Sequence, residues 1–330
     1  MNRKICISNL VYGEIFTKIF LTYHLKSLLE NLSSSRLPDG SIYLVFTDEK
    51  TISELDFHKN VAAVRKFMPL EIVVIDGELK NDMRYHIQSM QMKETIKYCL
   101  ENDLLIHQTC ADVYFGPNFF QNLMQKMSEG FDVIFGNPMR AAYESAAPLL
   151  DHAIYDVDDV DNLFDIGFQN PHPLWMSSNW NNPYFSIMPY HLLWTDSKSI
   201  LVRGVSISVY LFEPREWMLE FNGCTDMIHR KKFKRPYYCI DWSELPILEL
   251  VFLATFFPPF RNQKASVRSV AEWIFSQNLS ENIDIDLYTI CKRTTDNIDI
   301  HLIDESKKVM ENIFLEVISL NISKTQQKLQ

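Results

Sequence analysis

Short acidic strings are the first features of this chain that could do chemistry. Asp156-Val157-Asp158, Asp159-Val160-Asp161 and Asp284-Ile285-Asp286 each place two carboxylates two positions apart, and Asp241 and Glu244 stand three apart. Such carboxylates can ligate a hard cation or move a proton. The first two strings lie in an acidic run before Asn162-Leu163-Phe164, where the dipole of a starting helix is enough to account for them. The third alternates with isoleucine and reads as the edge of a strand or turn. Asp226, in a loop with Gly223, and the Asp241 and Glu244 carboxylates are better candidates, although a capping or solvated acid has the same signature.

One basic stretch stands out in an acidic chain. Residues 229–235, His-Arg-Lys-Lys-Phe-Lys-Arg, hold five Lys and Arg side chains in seven positions. They could grip phosphate groups or an anionic lipid surface, or form a solvated turn. Aromatic residues are too sparse around them for nucleic acid. With 32 basic against 42 acidic residues and a net charge of −10, the molecule as a whole does not suit a phosphate backbone either.

Several chemistries lose their support outright. The chain has nine glycines, and the nearest two, Gly130 and Gly136, stand six apart. No G-x-G-x-x-G loop, Walker A loop or G-x-S-x-G elbow can therefore form. Any bound phosphate must be held by side chains, helix N-termini or a metal. The six cysteines, Cys6, Cys99, Cys110, Cys224, Cys239 and Cys291, make no C-x-x-C and read as reduced, mostly buried thiols.

These side chains need elements to hold them. At 330 residues with 47% hydrophobic content, the chain can form one large domain or two ordinary ones around a substantial core. Apolar runs at 4–10, 42–46, 71–75, 104–107 and 131–135 read as strands, with helices expected at 15–29, 82–100 and 118–127. This alternation predicts an α/β fold with a mainly parallel open sheet flanked by helices. Ligands of such sheets sit at the carboxyl ends of the strands, here just after Leu10, Phe46, Ile75, His107 and Phe135.

The basic N-terminus is expected to enter the first strand and not a signal peptide. Residues 150–200 form an aromatic-rich insertion, with Trp175, Trp180 and Tyr184 either lining a groove or packing on the sheet. Strands return at 199–203 and 206–212, and a helix at 313–330 frays into a polar tail. The apolar run 247–257 reads as a buried helix; at about 16 Å it falls short of the roughly 30 Å of a bilayer core.

A set of specific segments carries a resemblance. Val11-Tyr12-Gly13-Glu14, Leu25-Lys26-Ser27-Leu28-Leu29 with Asn31, and Tyr43-Leu44-Val45-Phe46-Thr47 open it. Its centre is Ala111-Asp112-Val113-Tyr114-Phe115-Gly116. Gly136-Asn137-Pro138-Met139-Arg140, His172-Pro173, Gly223-Cys224-Thr225-Asp226, Ile240-Asp241-Trp242-Ser243-Glu244 and Val270-Ala271-Glu272-Trp273 complete it. Together, over about residues 4–275, these segments resemble a family of bacterial glycosyltransferase-like proteins with a GT-A type fold.

The resemblance implies a GT-A-like domain over residues 1–280, with a helical C-terminal extension at 281–330 packed on it. It implies transfer of a sugar from an activated, nucleotide-sugar donor to a saccharide or lipid-linked saccharide. Tyr12, Gly13, Glu14, Thr47, Asp112, Arg140 and Arg203 are then the donor-binding residues, and His172, Trp175 and Asp241 the acceptor-binding ones. Asp226 is the implied base, with Glu244 a second catalytic carboxylate. A cap on the turn after it would account for Asp112 equally well. The family's D-x-D motif, which holds Mg²⁺ or Mn²⁺ on the diphosphate, is here Cys110-Ala111-Asp112, one carboxylate where a hard cation wants several oxygens.

The chain also has Ser206-Ile207-Ser208 where a histidine-x-histidine pair is usual, and Lys26 where a proline is. A non-catalytic carbohydrate-binding or scaffold protein on the same fold is therefore the competing reading. The chain is expected in the cytoplasm, and the basic stretch is a candidate contact with the inner face of an anionic membrane, where a lipid-linked acceptor would lie.

Overall fold

The computed structural model of the chain describes residues 3–75, 84–151, 159–185, 191–205, 207–220, 230–254 and 264–328. Its elements run β1 (Ile5–Leu10), α1 (Glu14–Ile19), a π turn (Phe20–His24), α2 (Leu25–Ser34), β2 (Ile42–Thr47), α3 (Glu49–Asp56), α4 (Lys59–Val64) and β3 (Leu70–Val74). Then come α5 (Arg84–Asn102), β4 (Leu105–Cys110), β5 (Val113–Phe115), α6 (Phe119–Ser128), β6 (Val133–Gly136), β7 (Met139–Ala142), α7 (Tyr143–Asp151), α8 (Val160–Gln169) and α9 (Pro173–Met176). The remainder is β8 (His191–Thr195), β9 (Ser199–Gly204), β10 (Ser208–Phe212), β11 (Pro236–Tyr238), β12 (Ile247–Val251), α10 (Val267–Ser276), β13 (Thr289–Lys292) and α11 (Ile300–Lys328).

Two compact units divide the chain. The first comprises Met1–Pro138, Ser208–Cys239 and Glu244–Leu250; the second comprises Met139–Ile207, Ile240–Ser243 and Val251–Gln330.

The first unit is built on a seven-stranded sheet in the order β11-β6-β10-β4-β1-β2-β3. Pairing is parallel between β1 and β2, β1 and β4, β2 and β3, and β6 and β11; only β10 runs against its neighbours. The central strands β1, β2 and β4 are largely buried on both faces, as their near-continuous apolar runs require. Helices α2, α4 and α6 supply Leu28, Val61 and Leu123 to the core that Ile5, Ile7, Tyr43 and Leu105 build from the sheet.

The apolar run expected as a buried helix from residue 247 corrects to a strand over Ile247–Val251. It pairs antiparallel with β5, setting Ile247, Leu248 and Glu249 opposite Phe115, Tyr114 and Val113. A short apolar run carries no period that separates strand from helix, and here the open edge of β5 decides. The part of that run beyond residue 254 lies outside the described residues.

In the second unit β9 lies between β8 and β13, antiparallel to both. Met310, Ile313 and Val317 of α11 bury against Val270, Ala271 and Ile274 of α10 and Trp194 and Leu201 of the sheet. The C-terminal helix thus begins at Ile300, well before the expected residue 313. Among the described residues no helix is long and apolar enough to cross a membrane.

Candidate functional site

Parallel pairing brings three strand ends together in the first unit. Leu10 of β1 is in register with Phe46 of β2 and Cys110 of β4. Just beyond these positions stand Tyr12, Gly13 and Glu14, then Thr47, then Asp112. Gly13 adopts φ +77°, a conformation L side chains rarely take, as β1 turns into the helix beginning at Glu14. Its carbonyl accepts from the Thr17 backbone N–H at 3.0 Å and from the Thr17 hydroxyl at 2.9 Å.

Asp112 lies in the two-residue turn between β4 and β5, half-buried, with its carbonyl accepting from Leu250 N at 2.7 Å. It caps no helix: α6 begins at Phe119, behind Asn118 in the left-handed conformation.

The carboxyl ends of these strands also carry buried side-chain oxygens that meet no donor among the described residues. They are Asn9 Oδ1 on β1, Thr47 Oγ1 on β2 and Thr109 Oγ1 on β4. Asn9 and Thr47 are fully buried, and Thr109 nearly so. Asn9 and Thr109 are direct neighbours in the ladder. Buried polar atoms are almost always satisfied, so oxygens such as these mark where ordered water belongs.

Next to them lies a polar network that the sequence did not single out. His24, in the π turn, donates from Nδ1 to Val113 O at 3.0 Å and accepts at Nε2 from the Tyr43 hydroxyl at 2.7 Å. Asn9 Nδ2 reaches the same hydroxyl at 3.2 Å. Burial keeps the imidazole neutral, with its pKa pushed down to about 3. His107 on β4 is held neutral by the same cause, at about 4, and its Nδ1 bonds the Tyr210 carbonyl. Only the helix period of residues 24, 27 and 31 hinted at such a network, and a lone histidine in an apolar run is ordinarily core.

The remaining expected site residues stand elsewhere. Glu244 precedes β12, at the end of that strand away from Leu250 and hence from Asp112. Its carboxylate accepts from the Tyr237 hydroxyl and pairs with Lys126 Nζ at 3.6 Å, while burial and the adjacent Glu244 raise the Tyr237 pKa.

Arg140, Arg203, His172, Trp175 and Asp241 belong to the second unit. Arg203, expected at the donor, is engaged in structural hydrogen bonds. Only 1% exposed, it donates to Ser306 Oγ at 2.7 Å and to the carbonyls of Ile285, Leu287 and Ile303. His172 caps α9, accepting from Leu174 N at 3.2 Å, and its Nε2 meets Phe252 O at 3.2 Å, so both ring nitrogens are engaged. Trp175 is 3% exposed, leaving its ring no open face for a sugar. Asp241 accepts from the backbone and hydroxyl of Ser243. Arg140, half-buried on β7, helps burial depress the pKa of His191 and of His172.

Of the aromatic residues named in the insertion, Trp175 is buried, Trp180 is half-buried and stacks on Trp194 at 6.1 Å, and Tyr184 is exposed; a shallow depression is lined by Met176, Asn179, Asn181, Asn182 and Thr195. Asp159 is the N-cap of α8, and Asp161 accepts from Thr294, the helix-start role expected of that string.

In the basic stretch, Asp132 accepts from Lys234 N and Arg235 N. Lys232 Nζ lies 4.3 Å from the centre of the Trp217 ring, and Arg235 donates to Glu129 O. Of the cysteines, Cys6, Cys99, Cys239 and Cys291 are buried thiols, but Cys110, beside the Asp112 turn, is exposed. Asp226 with Gly223, Cys224 and Thr225, as well as Ser206, His229, Asp156 and Asp158, lie outside the described residues.

No group of three His, Cys, Asp or Glu side chains among the described residues could hold a metal ion, at Asp112 or elsewhere.

No protein-family model matches the chain, and no curated protein matches it. Among solved structures it is similar to a Bacillus anthracis protein assigned as a glucose-1-phosphate thymidylyltransferase and solved with sucrose. The identity is 8% and the TM-score 0.37, over 71% of this chain and 85% of that one. It is also similar to HddC from Yersinia pseudotuberculosis, at 10% identity and TM-score 0.33 over 71% and 90%. Likeness this remote assigns neither family nor activity.

Proposed function

We propose that the chain is a nucleotide-sugar-dependent enzyme whose donor site lies at the carboxyl ends of β1, β2 and β4. One observation carries the reading. The Tyr12–Glu14 turn, Thr47 and Asp112 stand together there at the ends of three adjacent parallel strands. The carboxylates of Glu14, exposed, and Asp112, half-buried, are acceptors suited to a ligand rich in hydroxyl and N–H donors, which a nucleoside and a sugar both are. In this reading the Asp112 carboxylate accepts from donor hydroxyls directly, and no step is routed through a metal.

The finer proposal is glycosyl transfer. The bond from the anomeric carbon to the diphosphate breaks, the diphosphate leaves with the electron pair, and an acceptor oxygen takes its place. The acceptor proton passes to a carboxylate, proposed to be Asp226. A saccharide, free or lipid-linked, is the proposed acceptor.

Thermal-shift measurements with UDP-, dTDP-, GDP-, ADP- and CMP-sugars test the reading, since a ligand of the native state raises apparent stability. A shift is expected with one nucleotide class, in the presence or absence of Mn²⁺. Silence across the whole series, repeated by calorimetric titration, would favour the competing non-catalytic carbohydrate-binding protein.

A further inference from the structure

The strand after Asp112 has an unusual second neighbour. One edge of β5 pairs with β12, and Gly116 N extends that pairing to Pro246 O at 2.9 Å. Its other edge is met by side chains of one helix face. His24 Nδ1 donates to Val113 O at 3.0 Å, and Ser27 Oγ accepts from Phe115 N at 3.0 Å. Beyond the strand, Asn31 Nδ2 donates to Gly116 O at 3.0 Å, and its Oδ1 accepts from Phe120 N in the first turn of α6 at 3.4 Å. On β5 itself, His24 supplies a donor and Ser27 an acceptor where a neighbouring strand would supply them.

Residues 24, 27 and 31 are spaced i, i+3, i+7, so they form one stripe on the helix surface. The π turn Phe20–His24 ends at the first of them. An extra residue in a turn rotates the rest of the helix, and such turns recur at functional sites. Here it sets His24 over Val113 while the helix that begins behind Gly13 continues into α2. The same imidazole is held from behind by Tyr43 on β2 and, through that hydroxyl, by Asn9 on β1. One rigid element therefore ties the Tyr12–Glu14 turn, β1 and the peptide after Asp112 to a common frame.

Resting on the donor site proposed above, we propose that His24, Ser27 and Asn31 are positioning residues. They touch no ligand, and they fix the Asp112 turn against the Tyr12–Glu14 turn so that both can engage one nucleotide sugar. The alternative is that the stripe only satisfies buried backbone groups, adding stability at no particular place.

Ser27→Ala and Asn31→Ala, each compared with Val61→Ala, separate these. Val61 is a buried core residue on α4 and forms no part of the stripe, so its truncation controls for general loss of stability. Two readouts are needed, both at a temperature where every variant is folded. In amide hydrogen exchange, the stripe variants should speed exchange in residues 111–116 selectively, whereas Val61→Ala should not. In calorimetric titration with the nucleotide sugar that shifts the wild type most, the stripe variants should bind roughly threefold to thirtyfold more weakly, with Val61→Ala near wild type.

Exchange that rises no more at residues 111–116 than elsewhere would overturn the proposal, whatever the ligand does. So would unchanged affinity in both stripe variants when Asp112→Asn binds weakly. Selective exchange with an Asp112→Asn variant that binds normally would instead remove the donor site on which the proposal rests. If Ser27→Ala fails to fold, Asn31→Ala and the rescue variant Ser27→Thr, which keeps the hydroxyl, carry the comparison.

Discussion

At the scale of single residues, the chemistry of a side chain and its burial have to be read together. Arg203 and His172 have the right functional groups for phosphate and sugar, but the fold spends them on backbone carbonyls and a helix cap. Arg203→Met should therefore cost about 3 kcal/mol or more, because charge-assisted bonds are lost and buried carbonyls are left without a donor. Urea unfolding of the variant measures that cost. Nucleotide-sugar affinity should stay at the wild-type level once the protein is folded. A stable Arg203→Met variant that has lost affinity would return the residue to the donor site. Asp112 differs: half-buried in the turn between β4 and β5, it precedes a strand and not a helix.

At the scale of elements, most of the sheet was legible because buried parallel strands are apolar runs bounded by polar turns. Strands at 4–10, 42–46 and 71–75, and helices near 82–100 and 118–127, lie within a few residues of those observed. The illegible part depends on partners distant in sequence. The run from Ile247 becomes a strand because β5 offers an edge more than a hundred positions earlier. The short helices α3 and α4 carry too few turns to display a period. The stripe of His24, Ser27 and Asn31 reads as ordinary polar punctuation in an amphipathic helix until the β5 edge is set against it. Its spacing was visible in the sequence, but its target was not. The place of Tyr12, Gly13, Glu14, Thr47 and Asp112 at the strand ends was legible, since the carboxyl ends of parallel strands follow from topology alone. The residues expected to join them from the second half of the chain rested on motifs, which carry no such geometric guarantee.

At the scale of the whole molecule, three buried neutral histidines govern the response to acid. Burial pushes His24 and His191 down to about 3 and His107 to about 4, against an ordinary value near 6.5. Because the folded values lie below the unfolded one, the unfolded chain takes up protons first as the pH falls. The stability these groups contribute is thus complete above about pH 6.5 and is lost as the pH drops toward their folded values. At pH 5 each costs on the order of 2 kcal/mol, a sizeable share of the 5–15 kcal/mol typical of a folded domain. Urea midpoints measured from pH 7 to pH 5 should fall steeply, and a flat profile would mean that the imidazoles are accessible to protons in the native state. The central claim, however, concerns the carboxyl ends of β1, β2 and β4, and calorimetric titration of wild type and Asp112→Asn with the same nucleotide sugar tests it most directly. The account predicts saturable binding by the wild type and at least about tenfold weaker binding by the variant, with loss of one charge-assisted hydrogen bond worth about 1.5–3 kcal/mol. Equal affinity of the two proteins, both shown to be folded, would contradict it.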